Sequence, residues 1–244
     1  DAENPAFIDD YTTGIGKTPG RTADEKGNPV HRLQTDGVNR DAYRIQSVDA
    51  ENGGTDMIKV GGTNSVVVGG AENDVIVIGG DKNVALGDNG RVKYNNAGND
   101  DAVYGDKLGL GMHIVETTND SIGGVDNIVI AGDKNVAMGG AEGDSIRITG
   151  ADNVAIGDGG RYTIEETRLY AESKSEQHGG QDFISTGDGK NAVIGGTDDD
   201  VIRTGAGNDA IVGDGGKVIM DTDRNALMVS NEGYNVGTDL GTAG

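Results

Sequence analysis

The chain has 244 residues, of which 34% are hydrophobic and 4% aromatic, with no Trp, so apolar burial alone would give a thin core for this length. Lys and Arg number 20 against 41 Asp and Glu, a net charge of -21 that argues against nucleic acid or an anionic membrane surface as partner and for cations. Without Cys there is neither a disulfide framework nor a thiolate metal site, and no apolar run approaches the roughly 18 residues of a membrane span.

Residues 1–50 are expected to form an irregular N-terminal segment or cap. They hold all three prolines, Pro5, Pro19 and Pro29, and the start Asp1-Ala2-Glu3-Asn4 lacks a basic and apolar signal segment, so the chain reads as a piece of something larger. Tyr43-Arg44-Ile45-Gln46-Ser47-Val48 alternates as a strand that would shield the first coil of a repeat. From residue 51 to 219 glycines recur at matched offsets. Gly-Gly begins at Gly53, Gly123 and Gly179 and again at Gly69, Gly139 and Gly195, and Gly-Asp comes after them at Gly87, Gly157 and Gly213. Three modules result, at about 51–92, 121–162 and 177–219. Two excursions, about 93–120 and 163–176, separate them, with basic-apolar runs such as Arg91-Val92-Lys93-Tyr94 and Arg161-Tyr162-Thr163-Ile164 that suggest hairpin strands. Residues 220–244 are expected to be a C-terminal segment or cap.

Within a module, units of nine alternate in type, as in Gly69-Gly70-Ala71-Glu72-Asn73-Asp74-Val75-Ile76-Val77 followed by Ile78-Gly79-Gly80-Asp81-Lys82-Asn83-Val84-Ala85-Leu86. Glycine permits the positive φ of a tight turn, and the apolar triplet after it reads as a short strand. The sixth place forms a ladder. Asp56 and Asp74, Asp126 and Asp144, and Asp182 and Asp200 are pairs one 18-residue coil apart on one edge. Ser65, Asn83, Asn135, Asn153, Asn191 and Asp209 occupy the other. Ile58, Ile76, Ile128, Ile146, Ile184 and Ile202, each two places after a ladder Asp, mark a core.

These residues resemble the repeats-in-toxin family, whose nonapeptide Gly-Gly-x-Gly-x-Asp-x-(large apolar)-x is matched best by Thr204-Gly205-Ala206-Gly207-Asn208-Asp209-Ala210-Ile211-Val212. The resemblance covers about half the chain. It implies an all-β fold, a right-handed parallel β-roll of about 18 residues per coil with two edge excursions. It also implies calcium held by Asp56, Asp74, Asp101, Asp126, Asp144, Asp182, Asp200 and Asp209 with turn carbonyls such as Gly54, Gly124, Gly180 and Gly207. Asp101 would continue the ladder between Asp74 and Asp126. The chain departs from the motif at the fourth place, where Glu72, Glu142 or Asp198 replaces Gly, and in the Asn row.

Strands of adjacent coils lie about 4.8 Å apart, so stacked carboxylates repel by roughly 3 kcal/mol at an effective dielectric near 20 unless a cation separates them. Carboxylate and carbonyl oxygens suit Ca²⁺ better than Mg²⁺, and His31, His113 and His178 show no zinc-like spacing. Two formal charges per site on the Asp edge, against none or one on the other, place the tighter sites on the Asp edge. Strands after the Asn row have apolar flanks, as at Val84 and Leu86 or Val136 and Met138, so their sheet is expected to be buried on both faces by the excursions or a partner, with an exposed Val-rich face as the competing reading. The expected function is a non-catalytic, calcium-folded segment of a large secreted or cell-surface protein (an adhesin, toxin or exoenzyme), with neighbouring domains meeting any carbohydrate or surface ligand. The alternatives are a polysaccharide lyase or epimerase, for which Glu165 and Glu166 are the acidic pair, and a carbohydrate-binding module.

Overall fold

The structure is a computed structural model that describes residues 44–94, 112–174 and 177–231. The chain divides into Asp1–Ala42, which lies outside those residues, and Tyr43–Gly244.

A unit of six strands occurs three times. The first comprises β1 (Arg44–Gln46), β2 (Met57–Gly61), β3 (Val66–Val68), β4 (Val75–Gly79), β5 (Val84–Leu86) and β6 (Gly90–Tyr94). The second comprises β7 (Met112–Thr117), β8 (Asn127–Ala131), β9 (Val136–Gly140), β10 (Ser145–Ile148), β11 (Val154–Asp158) and β12 (Gly160–Ile164). The third comprises β13 (Arg168–Ser173), β14 (Phe183–Ser185), β15 (Ala192–Gly196), β16 (Val201–Arg203), β17 (Ala210–Asp214) and β18 (Lys217–Asp221), and β19 (Ala226–Ser230) comes last.

The second and fourth strands of each unit build a six-stranded parallel sheet, the outer sheet, and the third and fifth build a parallel central sheet. An outer strand and the central strand after it make one coil. First and last strands build a third sheet, antiparallel and seven-stranded, in the order β1-β6-β7-β12-β13-β18-β19.

This corrects the expected fold. The molecule is all-β, but it is not a single right-handed parallel β-roll with two edge excursions, because a full antiparallel sheet stands beside two parallel ones. The supposed excursions belong to the repeat. Hairpins β6–β7, β12–β13 and β18–β19 each join the last strand of a unit to the strand that follows it, the last from residues expected to straddle the C-terminal segment. Likewise β1 pairs antiparallel with β6 in the third sheet, and Val48 beyond it is exposed. The physical reason is two-faced alternation: Arg91-Val92-Lys93-Tyr94 has an apolar side to bury and a charged side to leave in water, which suits an antiparallel sheet covered on one face.

Two cores result. Between the outer and central sheets, Ile76, Ile128, Ile146 and Ile184 are fully buried against small central residues, Ala85, Ala137 and Ala155. Large against small lets the layers close without voids, and each buried Ile contributes about 1.5–3 kcal/mol. Between the central and antiparallel sheets, Val84, Leu86, Val136, Met138, Val154 and Ile156 meet Val92, Val115, Tyr162, Leu169, Val218 and Met220. The central sheet is therefore buried on both faces.

Each unit closes with the same clasp. The N–H of Gly90, Gly160 and Gly216 donates to the hydroxyl of Ser47, Thr117 and Ser173 at 2.9, 3.0 and 2.8 Å, always 43 residues back. On the far side of the antiparallel sheet Arg91, Glu116, Arg161, Glu172 and Lys217 fall in one cross-strand rank. Buried Glu116 is paired with both Arg91 and Arg161, and Lys217 meets Glu172 at 2.8 Å.

Candidate functional site: a buried acid row

Every ladder Asp of the described residues immediately precedes an outer strand, and every member of the Asn row immediately precedes a central strand. The Asp row is continuous across all three units. Asp74 Oδ1 accepts from the Asp56 N–H at 2.7 Å, Asp126 from Asp74 at 2.7 Å, Asp144 from Asp126 at 2.7 Å, Asp182 from Asp144 at 2.6 Å and Asp200 from Asp182 at 2.9 Å. Asp74 and Asp126 are thus direct neighbours and no coil stands between them; Asp101 lies outside the described residues.

The Asn row uses the same device. Asn83, Asn135, Asn153, Asn191 and Asp209 each offer Oδ1 to the N–H of the preceding coil, at 2.7–2.9 Å. What differs is the other side-chain atom. The amides of Asn83 and Asn153 donate to the carbonyls of Gly80 and Gly150 at 2.8 and 2.7 Å, and that of Asn191 donates to Gly187 and Asp209 at 2.9 Å each, whereas the buried Asn135 amide has no partner among the described residues. In the Asp row, Oδ2 of Asp74, Asp126, Asp144, Asp182 and Asp200 is buried and accepts from no donor among the described residues. A buried oxygen without a donor forfeits roughly 1–3 kcal/mol, more when charged, so five in line call for something that neutralises them.

Glycine lines that row for a steric reason. A Cβ on Gly87 would stand 2.1 Å from Asp126 Oδ2, and one on Gly139 would stand 2.0 Å from Asp144 Oδ2 and 2.2 Å from the Gly157 carbonyl oxygen. Gly69, Gly157 and Gly195 hold the same place beside Asp74, Asp182 and Asp200. The expected ligand glycines are elsewhere. Gly124 and Gly180 use their N–H groups, Gly54 is exposed with open space around it, and Gly207 is an exposed turn residue before Asp209. Asp209 belongs to the Asn row, and Asp56 is exposed at the head of the Asp row.

Burial, followed by neighbouring carboxylates, overcomes the backbone hydrogen bonds and lifts the row above the ordinary carboxyl value. Asp144 is pushed up to about 10, Asp182 to about 8, Asp126 to about 7 and Asp200 to about 6. Asp74 is raised for the same reasons.

Two further acids close the row where the chain leaves the parallel sheets. Asp88 accepts from the N–H of Gly124 at 3.0 Å and of Ala141 at 2.5 Å, and Asp158 accepts from Gly180 at 3.0 Å and from Thr197 N and Oγ1 at 2.5 and 2.9 Å. Each thereby ties the departing strand to the turns of the next two coils. Burial lifts Asp88 to about 8 and raises Asp158. In the sequence both stand only within the Gly-Asp repeat markers; the signal that sets them apart is the replacement of the second Gly by Asp at each departure.

The motif departures do not disturb the turns, since Glu72, Glu142 and Asp198 hold φ of 72°, 65° and 69° where glycine is usual. Among the described residues no three His, Cys, Asp or Glu side chains converge into a ready-made metal cage, and no helix is long and apolar enough to cross a membrane. What the chain offers a cation is a line of single carboxylate oxygens with turn carbonyls beside them. Those hard oxygen donors and the unpaired Oδ2 atoms fit calcium. No family model, curated protein or solved structure matches the chain.

Proposed function

We propose that the chain is a non-catalytic structural segment, of the kind found in large secreted or cell-surface proteins, whose folding is driven by calcium taken up along the Asp74–Asp200 row. The resemblance to repeats-in-toxin sequences motivates the reading. The observation that carries it is the contrast between rows: the amides of Asn83, Asn153 and Asn191 close their own turns, and the homologous Asp atoms are left as buried acceptors.

Asp74, Asp126, Asp144, Asp182 and Asp200 would hold the ions through Oδ2, assisted by the carbonyls of Gly87, Gly139, Gly157, Gly195 and Gly213 that border the same space. Bound calcium supplies positive charge and open coordination positions for oxygen. The chain keeps Oδ1 of each Asp engaged with the preceding coil, so neutralising the row also locks the coil register. Ion binding that requires stacked coils is folding free energy, because the unfolded chain has no such row. In a calcium-poor compartment the chain stays expanded, and outside the cell it folds.

A second reading puts protons where the ions would be, and the raised values of Asp126, Asp144 and Asp182 favour it in acid. Circular dichroism with calorimetric titration separates the two. At pH 7.5 in chelator the chain is expected to be largely unfolded, and calcium, not magnesium, restores strand signal with heat released. Full strand content in chelator at that pH, with no calcium heat, would refute the calcium reading. Glu165 and Glu166 lie in the turn between β12 and β13, one half-buried and one exposed.

A further inference from the structure

The core between the central and antiparallel sheets carries a polar pair where the repeat calls for an apolar residue. Along β6, β12 and β18 the position two residues after the clasp glycine faces that core. It is Val92 in the first unit and Val218 in the third, both fully buried. In the second unit it is Tyr162, 1% exposed and paired with the small Ala171 of β13. A buried phenol needs a partner for its hydroxyl. The partner comes from the turn between β18 and β19, where Arg224 is 6% exposed and its Nη2 donates to Tyr162 Oη at 3.4 Å.

The turn is built around that inward arginine. Asp221 Oδ1 accepts from the N–H of Asp223 at 2.9 Å and of Asn225 at 2.8 Å, and its Oδ2 accepts from the Asn225 amide at 2.8 Å. The Arg224 N–H donates to the Asp221 carbonyl at 3.0 Å, and Arg224 takes a φ of 61°, where glycine is usual. Lys190 Nζ donates to the Asp223 carbonyl at 3.1 Å and so fastens the turn to the turn before β15. The acid nearest in sequence is thus occupied by the turn itself. Although the chain has 41 acids to 20 bases, Arg224 forms no ion pair among the described residues.

The groups that converge there are donors. Arg224 Nη1 is buried with no hydrogen-bond partner among the described residues, and the Tyr162 hydroxyl, which accepts from Nη2, still has its own proton to give. Burial holds Tyr162 above its ordinary value although Arg224 pulls the other way, so the hydroxyl keeps that proton at neutral pH and is not the counter-ion of the guanidinium. A water would add two more hydrogens to a place already rich in them, whereas an anion brings only acceptors and the missing negative charge. We infer that Arg224 and Tyr162 bind a small inorganic anion of the halide class, bridged between Arg224 Nη1 and the Tyr162 hydroxyl. The burial of both groups selects a single-atom ion over a phosphate or the carboxylate of another molecule. Tyr162 lies on β12 and Arg224 follows β18, with β13 between those strands, so uptake of the ion ties the third hairpin to the second. No atom of the acid row takes part, and the inference is independent of the calcium reading.

Crystals of the full chain grown with calcium and sodium bromide test it. A bromide anomalous peak is expected within hydrogen-bond reach of Arg224 Nη1 and Tyr162 Oη, and none there in Arg224→Met. In solution, with calcium supplied as its gluconate, urea unfolding gives the folding equilibrium constant in about 0.5 M sodium chloride and in about 0.5 M sodium gluconate, whose anion is too large for a closed site. The chloride-to-gluconate ratio of those constants is expected to be at least about tenfold higher in the parent than in Arg224→Met, as for a site half filled near about 50 mM chloride, and to be lowered in Tyr162→Phe, which keeps the ring packing. The same ratio in all three chains, or a water in place of the bromide peak, would overturn the inference. A peak without a difference in ratio means binding at crystal concentration only and would overturn it as well. Calcium missing from the acid row beside a bromide at Arg224 would sink the calcium reading and leave this one standing.

Discussion

Asp144→Asn distinguishes a carboxylate that needs an ion from one that merely fills a turn. Asp144 sits mid-row, 3% exposed, with Oδ1 accepting from Asp126 and Oδ2 unpaired beside the Gly157 carbonyl. Its carboxyl, ordinarily at 3.8, is pushed up to about 10 by burial and by Asp126, Asp182 and Asp88. At pH 7 without metal the folded chain must therefore take up a proton there, against a cost of about 1.4 kcal/mol per pH unit above the ordinary value, or roughly 4 kcal/mol. The amide removes that penalty, keeps the Oδ1 acceptor, and offers a donor to the neighbouring carbonyl as Asn83 and Asn153 do. In excess chelator the variant is expected to be more stable than the parent by about 2–4 kcal/mol at pH 7. In saturating calcium the order reverses, because a ligand is lost and neighbouring sites are weakened. Circular dichroism measures both: refolding of each chain by a stabilising osmolyte in chelator, where the variant needs less of it than the parent, and urea unfolding in calcium. A variant less stable than the parent in chelator, or equal to it in both conditions, would refute the reasoning.

The pH dependence has a definite sign. Asp200, Asp126, Asp182 and Asp144 have folded values of about 6, 7, 8 and 10, all above 3.8, so the metal-free fold binds more protons than the unfolded chain. Its stability is greatest below about pH 4 and declines as pH rises through 6 to 10, and calcium should flatten that decline; melting temperatures across pH with and without chelator report it. Gly139→Ala, whose Cβ would collide with Asp144 Oδ2 and the Gly157 carbonyl, should lose about 1–3 kcal/mol and weaken calcium binding, as denaturation and calorimetry would show. Burial raises the Glu116 carboxyl, but hydrogen bonds from Arg91 and Arg161 outweigh it and hold the group below its ordinary value. Glu116→Ala should lose about 1–3 kcal/mol with calcium affinity unchanged, since both arginines can turn to solvent.

The acid row was legible because its signal is local: an Asp after glycine turns and before an Ile, spaced 18 residues apart within each unit. The joins between units were not, since Asp74 meets Asp126 across 52 residues and Asp144 meets Asp182 across 38, unequal intervals that break the 18-residue period, and the first holds the ladder-like run at Asp101. The third sheet was half visible. The apolar flanks of Val84, Leu86, Val136 and Met138 announced a cover, and Arg91-Val92-Lys93-Tyr94 announced strands, but the 43-residue clasp from Ser47 to Gly90 joins residue types too common to stand out. The role of each second side-chain atom, closed in Asn83 and unpaired in Asp74, depends on which carbonyls lie beside it, and only the folded turns reveal that.

The central claim is that ions occupy the unpaired oxygens of the acid row. Calcium anomalous scattering from crystals grown with the ion tests it most directly: the account predicts peaks in a line beside Oδ2 of Asp74, Asp126, Asp144, Asp182 and Asp200 and none along Asn83, Asn135 and Asn153. A folded chain with no peak on that line, or with calcium confined to other surfaces, would contradict it.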